Sequence, residues 1–268
     1  MEFILQHRNR GAAGVAEETG RQQRSLPSDV SPHLSLFGDA DDGALALSVE
    51  PRLRSEIACR AVNCLIAGVL LVVTAPVLAL AAVAIKLTSP GPIFYTQPRV
   101  GLNRRRRHVL ARHRYDRRTH DLGGKIFKMW KLRTMRHDAE RQTGVTWARQ
   151  QDPRATPIGR LLRKSRIDEI PQLLNVLKGE MNIVGPRPER PSLVAQLSRG
   201  IPEYPLRLMA RPGITGWAQV NQAYDTTLDD VKRKVQLDLE YLRRQGVRED
   251  LRIMLRTIPV MFFRRNGW

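Results

Sequence analysis

Two adjacent carboxylates, Asp168 and Glu169, stand in the run Ser165-Arg166-Ile167-Asp168-Glu169-Ile170-Pro171-Gln172, just after Arg163 and Lys164. Ile170, Leu173, Leu174 and Leu177 form a helical stripe ended by Gly179, which puts the pair at a helix start. The helix dipole and nearby cations keep carboxylates ionised there, fit to serve as nucleophile or metal ligand. Phosphoryl-type transfer needs such a nucleophile, a divalent cation or basic groups for the phosphate oxygens, and a site that orients both substrates. Asp168 can attack phosphorus and form an acyl phosphate. Glu169 can handle protons or, with Asp168, hold Mg²⁺, which favours one or two carboxylates plus substrate phosphates. Lys131, Arg133, Arg163 and Arg187 are the cations that can neutralise phosphate charge. Each signal is weak alone, since an Asp-Glu pair at a helix start is most often dipole-complementing surface charge.

The elements that must position these groups are short. Lys125 to Met135 alternates apolar and basic residues and reads as a strand with Lys131 and Arg133 on one face. Thr156-Pro157 reads as an N-cap followed by Pro at the first helical position, opening a helix to about Lys164. Ser165 and Asp168 have the spacing of a capping box, with Asp in place of Glu or Gln. Pro171 would then lack a needed N–H in the second turn, whereas with Asp168 itself as cap it falls harmlessly in the first. Met181 to Val184 reads as a short strand, and Ile93 to Thr96 as another. Two prolines hold Arg187 in a stiff extended loop, Gly185-Pro-Arg-Pro188, with little entropy left to lose. Arg211 to Val220 reads as turn then strand. Thr227 caps a helix whose Val231, Val235, Leu239 and Leu242 share a face and which stops near Gly246. The tail from Leu251 to Phe263 mixes apolar residues with arginines, as in an interfacial amphipathic helix or a core helix with snorkelling arginines, and Pro259 interrupts it.

Ala61 to Ile85 carries no charge over about 25 residues, long enough to cross a bilayer, and is apolar on every face. Pro76 near its middle removes a backbone hydrogen bond. Arg52, Arg54 and Arg60 precede the run, and Lys86, Arg99 and Arg104 to Arg107 follow it. Both flanks favour the cytoplasm, so charge does not choose between a kinked span and a re-entrant hairpin. The net charge of +19 implies anionic partners: nucleic acid, acidic headgroups or phosphorylated substrates. All of the excess lies beyond residue 60, because the chain up to Arg60 holds seven Arg against nine Asp and Glu. Eight arginines and three histidines fall between Arg104 and His120, a solvated loop or a polybasic patch for anionic lipid. Residues 1–50 lack periodicity and a signal-peptide run and read as a disordered leader. Cys59 and Cys64, five apart on one helix, cannot form a disulfide with each other. No Cys/His cluster has zinc spacing, and no Walker A, G-x-G-x-x-G or G-x-S-x-G motif occurs.

Taken in order, Ser89-Pro-Gly-Pro-Ile-Phe, Lys131-Leu-Arg-Thr-Met, Arg166-Ile-Asp-Glu-Ile-Pro-Gln-Leu-Leu-Asn-Val-Leu-Lys-Gly-Glu-Met, Val184-Gly-Pro-Arg-Pro-Glu and Arg211-Pro-Gly-Ile-Thr-Gly-Trp-Ala-Gln-Val resemble the bacterial sugar transferases. These are monotopic polyprenyl-phosphate glycosyl-1-phosphate transferases, and the resemblance runs from roughly Ala58 to Phe263. It implies an α+β fold in which a helix-rich cytoplasmic domain with short strands is anchored by one re-entrant membrane helix hairpin. The parts would be a leader (1–50), an anchor (51–88) and a catalytic domain (89–268) with a basic insertion at about 104–122. It further implies transfer of a sugar 1-phosphate from a UDP-sugar to undecaprenyl phosphate, the priming step of exopolysaccharide or other surface glycan synthesis. UMP leaves and a lipid diphosphosugar forms, by way of a covalent aspartyl-phosphosugar intermediate.

By this resemblance Asp168 is the nucleophile, assisted by Glu169 and Mg²⁺. Arg163 binds phosphate, Arg187 meets the nucleotide sugar, and Asp238 corresponds to an Asp before an aromatic residue in a late helix. Inner-membrane lipids are the remaining partners, and no nucleic acid is expected. The sugar, the glycan pathway and the oligomeric state stay open. Two departures stand out: Ala75 precedes Pro76 where Ser is frequent, and the stretch from Arg104 to Leu122 is extra. Two other classes fit parts of the pattern. A pI of 11.1 suits a nucleic-acid-binding protein, but the apolar run and the 6% aromatic share, without a stacking pattern, argue against one. A basic membrane-associated scaffold without catalysis would share the anchor and lack turnover.

Overall fold

The computed structural model describes residues 51–103, 123–136, 139, 152–222 and 227–263, with residues 261–263 described by backbone alone. The leader (1–50) and the basic insertion (104–122) lie outside the described residues. The uncharged run forms one helix, α1 (Glu56–Thr88), capped by Ser55, whose hydroxyl accepts from Ala58 N. Pro76 sits inside it. At 1.5 Å per residue, 33 residues span about 50 Å, more than the ~30 Å of a hydrocarbon core.

The strand β1 (Phe94–Val100) pairs antiparallel with β2 (Ile126–Leu132), setting Tyr95 opposite Lys131 and Gln97 opposite Met129. Helix α2 (Pro157–Lys164) starts as expected, with Thr156 Oγ1 accepting from Gly159 N at 3.0 Å. Such a cap contributes about 1 kcal/mol. A 3₁₀ turn (Ile167–Glu169) and α3 (Gln172–Lys178) follow. Next come β3 (Asn182–Val184), α4 (Pro191–Gly200), a 3₁₀ segment (Tyr204–Met209) and β4 (Gly213–Thr215), which pairs parallel with β3. The chain continues through α5 (Trp217–Asn221), α6 (Leu228–Arg244) and α7 (Val247–Phe263). The architecture is α+β, helix-rich with short strands. Thr227 and Asp230 cap α6 reciprocally, and its expected face, Val231, Val235, Leu239 and Leu242, is buried.

The main core gathers Leu173, Val176, Met181, Val184, Tyr204, Leu206, Leu239, Leu242 and Ile253 and takes in Ala67 of α1. A smaller cluster joins Ala81 and Ile85 of α1 to Leu132 and Leu162. Both ends of α1 therefore dock on one domain. Arg60 donates to the carbonyls of Val176 and Leu177, closing the end of α3, and Asn63 Oδ1 accepts from Ile183 N at 2.7 Å. At the other end Arg133 holds the carbonyls of Ser89 and Pro90 at 2.8 and 2.6 Å. Between these anchors Leu65, Val69, Val72, Val73, Leu80 and Val83 are exposed on its outer side.

Several local expectations change. Trp217 to Asn221 is helical, so the strand after the Arg-Pro-Gly turn stops at Thr215. Pro259 does not end α7, which continues through it, with Ile253 buried and Leu251, Leu255 and Ile258 exposed. In α3 the buried side carries Gln172, Leu173, Asn175 and Val176, while Leu177 is exposed. Burying Asn175 works because every polar atom is matched: Oδ1 accepts from Trp130 N at 3.0 Å, and Nδ2 donates to Lys128 O and Glu180 Oε2. Cys59 and Cys64 are free thiols.

Candidate active site

Neither capping scheme expected for the dyad is adopted. Ser165 ends α2 instead, its Oγ donating back to Leu161 O at 2.9 Å. Arg166 then takes a left-handed backbone, φ 56°, uncommon for a residue with a Cβ. That reversal separates α2 from the 3₁₀ turn holding Asp168 and Glu169, and Pro171 precedes α3. The carboxylates therefore lie a turn ahead of the helix, where burial and neighbouring side chains set their chemistry.

Glu169 is the fixed member. Its Oε1 accepts from Lys131 Nζ at 2.8 Å and Arg187 Nη2 at 2.7 Å, with Arg166 Nη1 4.0 Å from Oε2. Burial alone would raise its pKa, but Arg187 and Lys131 outweigh that and hold it well below the usual carboxylate range. Asp168 is 6% exposed, and among the described residues no side chain hydrogen-bonds or ion-pairs to it. Burial, then the Glu169 charge beside it, pushes its pKa up to about 6 against the pull of Lys131, Arg163 and Arg187. One carboxylate is thus saturated with cations, and the other is buried with no side-chain partner among the described residues. A buried carboxylate in that condition calls for a ligand that brings positive charge or an electrophilic centre.

Arg187 is held from behind as well as in front. Gly185 and Gly213 let the Pro-Arg-Pro loop cross the Arg-Pro-Gly turn closely. A Cβ on Gly213 would lie 2.1 Å from Gly185 N, and one on Gly185 2.2 Å from Arg211 O. Arg207 Nη2 donates to the Arg187 carbonyl at 3.0 Å. Arg207 itself is bound by Asp238 Oδ2, at 2.8 Å from Nε and 2.7 Å from Nη2, and by Tyr204 Oη at 2.9 Å. Next along the loop, Glu189 pairs with Lys234 at 2.9 Å and Arg99 at 3.3 Å. Burial works to raise the Glu189 pKa, but Lys234, Arg207 and Arg99 overcome it and hold it at about 2.

The structure brings together Asp168, Glu169, Lys131 and Arg187. Arg163 is near enough to act on the Asp168 charge, while its Nε donates to Thr134 Oγ1 at 3.0 Å. Arg133 and Asp238 are committed elsewhere. Arg133 lies just past β2, so strand alternation no longer places it beside Lys131, and its guanidinium holds the end of α1. Asp238 is 1% exposed and acts through Arg207. Sequence reading missed Arg207, Glu189 and Asn175. Glu189 directly follows the Pro-Arg-Pro motif, and Asn175 interrupts an apolar stripe, so both carried a signal. Arg207 carried none, because nothing local marks an arginine that folding will bury.

The bacterial sugar transferase family model matches residues 54–264, which covers the dyad, the Arg187 loop and both ends of α1. The chain belongs to the bacterial sugar transferase family. It is 37% identical over 244 residues to the UDP-glucose:undecaprenyl-phosphate glucose-1-phosphate transferase of Caulobacter vibrioides, covering 90% of this chain and 82% of that protein. The Escherichia coli protein of the same description is 39% identical over 201 residues, 74% of this chain and 39% of its own. The UDP-N-acetylgalactosamine-undecaprenyl-phosphate N-acetylgalactosaminephosphotransferase of Aeromonas hydrophila is 38% identical over 199 residues, 74% of this chain and 42% of its own. The chain thus spans most of the Caulobacter relative and about two fifths of the other two. Relatives described as acting on glucose and on N-acetylgalactosamine match it about equally well, so family membership does not single out a sugar.

Proposed function

We propose that this protein transfers a sugar 1-phosphate from a UDP-sugar to undecaprenyl phosphate, giving a lipid diphosphosugar and UMP, and so primes synthesis of a surface glycan such as an exopolysaccharide. The observation that carries this reading is the contrast within the dyad: Glu169 saturated by Lys131 and Arg187, Asp168 buried beside them with no side-chain partner among the described residues. In the first half-reaction an Asp168 oxygen attacks the sugar-bearing phosphorus. The bond from that phosphorus to the bridging oxygen breaks, and the electron pair leaves with UMP. In the second, an undecaprenyl phosphate oxygen attacks the same phosphorus, the acyl-phosphate bond breaks and Asp168 regains its charge. No water is consumed and no redox partner is needed. Lys131 and Arg187 are fixed by Glu169 before substrate arrives, so little reorganisation is required as charge develops on the phosphoryl oxygens.

The donor set suits Mg²⁺. Among the described residues Asp168 has both oxygens to offer, and Glu169 Oε2 is approached by Arg166 at 4.0 Å. Among the described residues no group of three or more His, Cys, Asp or Glu stands together, so substrate phosphates would complete the shell, as is usual for this ion. Bound there, Mg²⁺ would supply charge neutralisation at the phosphates. Testing a panel of UDP-sugars with undecaprenyl phosphate and scoring UMP release both checks the reaction and names the sugar. Sugar-nucleotide-independent behaviour across the whole panel, with no UMP formed, would refute it.

We further read α1 as a re-entrant anchor on the cytoplasmic face of the inner membrane. A straight span would carry the Ile85 end to the opposite side from the Cys59 end, yet both ends pack on the same domain. Pro76, lacking an N–H, is where the helix bends most cheaply. A single cysteine introduced at Ser35, with Cys59 and Cys64 replaced by Ala, is expected to react with an impermeant maleimide only after the inner membrane is permeabilised. Labelling in intact spheroplasts would restore a plain span.

A further inference from the structure

Where the chain enters α1 and where it enters α7, the two segments are tied together. Arg52 N donates to Leu242 O at 3.0 Å, and Gln245 Nε2 donates to Arg52 O at 3.2 Å. Between them lies a cavity of about 210 Å³ lined by Arg52, Arg54, Ser55, Gln245, Arg248 and Glu249 among others. None of these residues belongs to the site around Asp168. We propose that this cavity binds the phosphodiester of an anionic phospholipid, whose acyl chains run onto the apolar side chains exposed on α1 and α7.

Four independent features point to that ligand. The Arg54 side chain is 4% exposed, yet its Nε donates no hydrogen bond, the nearest carboxylate oxygen being Glu56 Oε1 at 3.6 Å. Its other end is loosely held, with Nη1 3.5 Å from Tyr241 Oη and 3.6 Å from Asp250 Oδ2. A buried guanidinium donor left in this state costs free energy that an anion would recover.

Second, the 17-residue α7 begins at the cavity. Its hydrogen bonding starts with Asp250 N to Gly246 O at 2.8 Å, so the amides of residues 247–249 have no acceptor within the helix. Amides so placed favour phosphate.

Third, Arg52 and Arg248 are exposed at the cavity and, among the described residues, have no ion pair, while Glu249 lies 3.7 Å from Arg252. The balance of free charge at the cavity is positive. Gln245, 2% exposed, has an Oε1 that accepts nothing, which suits a headgroup hydroxyl.

Fourth, the surroundings are greasy. Leu53 and Ile57 are 97% and 85% exposed on the α1 side, and Leu251 and Leu255 are exposed on α7. An anion that arrives with acyl chains can use both the charge and this apolar surface, whereas a soluble phosphate can use only the charge. The volume also discriminates: it is below the roughly 300 Å³ at which drug-sized ligand pockets begin, but ample for a phosphodiester with a small headgroup.

The proposal rests on the membrane placement of α1 and not on the transfer reaction, so it is tested without any sugar nucleotide. Full-length protein in mixed phosphatidylglycerol and phosphatidylcholine nanodiscs is released and weighed by native mass spectrometry. The wild type is expected to keep one phosphatidylglycerol. Arg52→Gln with Arg248→Gln should bind it about 30-fold more weakly, the effect of two interfacial charges, because neither side chain has an ion pair to lose among the described residues. The double variant should release UMP in detergent as the wild type does. Equal phosphatidylglycerol retention by both proteins would overturn the proposal, as would equal retention of phosphatidylcholine. Glycerol 1-phosphate that displaces the lipid at matched concentration would reassign the cavity to a soluble phosphate.

Discussion

Asp168→Asn protein is expected to lose turnover by about three orders of magnitude or more, a loss of at least ~4 kcal/mol of transition-state stabilisation. The substitution keeps the shape of the side chain but removes its charge and its capacity to form an acyl phosphate. The informative measurement is intact-protein mass after mixing with the cognate UDP-sugar and Mg²⁺ in the absence of lipid acceptor. Wild-type protein gains one sugar phosphate and releases a burst of UMP, while the variant does neither. Sustained turnover by the variant, or an adduct mapped to another residue, would remove Asp168 from the nucleophile's role. Stability should move the other way. Burial raises the Asp168 pKa to about 6, above its ordinary value, so the folded state holds this proton more tightly than the unfolded chain does. Above that pH the ionised group costs stability, and the cost fades as pH falls through 6. An asparagine carries no such cost, so the thermal midpoint of the variant at neutral pH should be unchanged or higher.

Arg207 is where the largest loss of stability is expected. Arg207→Met strands the Asp238 carboxylate in the core, and breaking a buried pair in this way costs about 3–5 kcal/mol. At about 2–4 °C per kcal/mol for a domain of this size, the midpoint should fall by roughly 6–20 °C. The double variant Arg207→Met with Asp238→Leu removes both charges, and such apolar replacements are often neutral in stability. It should therefore recover most of the lost midpoint. Activity should not recover, because the Arg187 carbonyl has lost its donor and the loop that aims Arg187 at Glu169 is no longer held. A positioning role predicts that kcat falls in the double variant while the fold stands. If the double variant regains wild-type kcat, Arg207 only holds the core together.

The two effects separate what local sequence can and cannot carry. Caps and periodic faces depend on neighbours three or four residues away, so Thr156, Thr227, Gly179 and the stripe on α6 could be read directly and recur in the structure. The dyad, the stiff Arg187 loop and the apolar run were legible for the same reason: adjacent carboxylates, flanking prolines and a long uncharged stretch are properties of contiguous residues. Periodicity already failed at Arg133, because the strand expected to reach Met135 ends at Leu132. At Asp168, capping rules describe a helix start, but Arg166 turns the chain before the helix begins.

The sequence by itself determined which groups are available for phosphoryl chemistry, which family motifs hold them and that one segment is apolar enough for lipid. Only the tertiary structure decided the division of labour between the two carboxylates. Lys131, Glu169 and Arg187 are far apart along the chain, and their meeting at 2.7 and 2.8 Å saturates one acid and, among the described residues, leaves the other without a side-chain partner. It also decided that both ends of α1 return to one domain, and that an unmarked arginine, Arg207, supports the Arg187 loop from the core. Ion pairing and burial act through space at a few ångströms, whereas the patterns readable in a sequence act along the chain, so the site's residues were visible before their roles were.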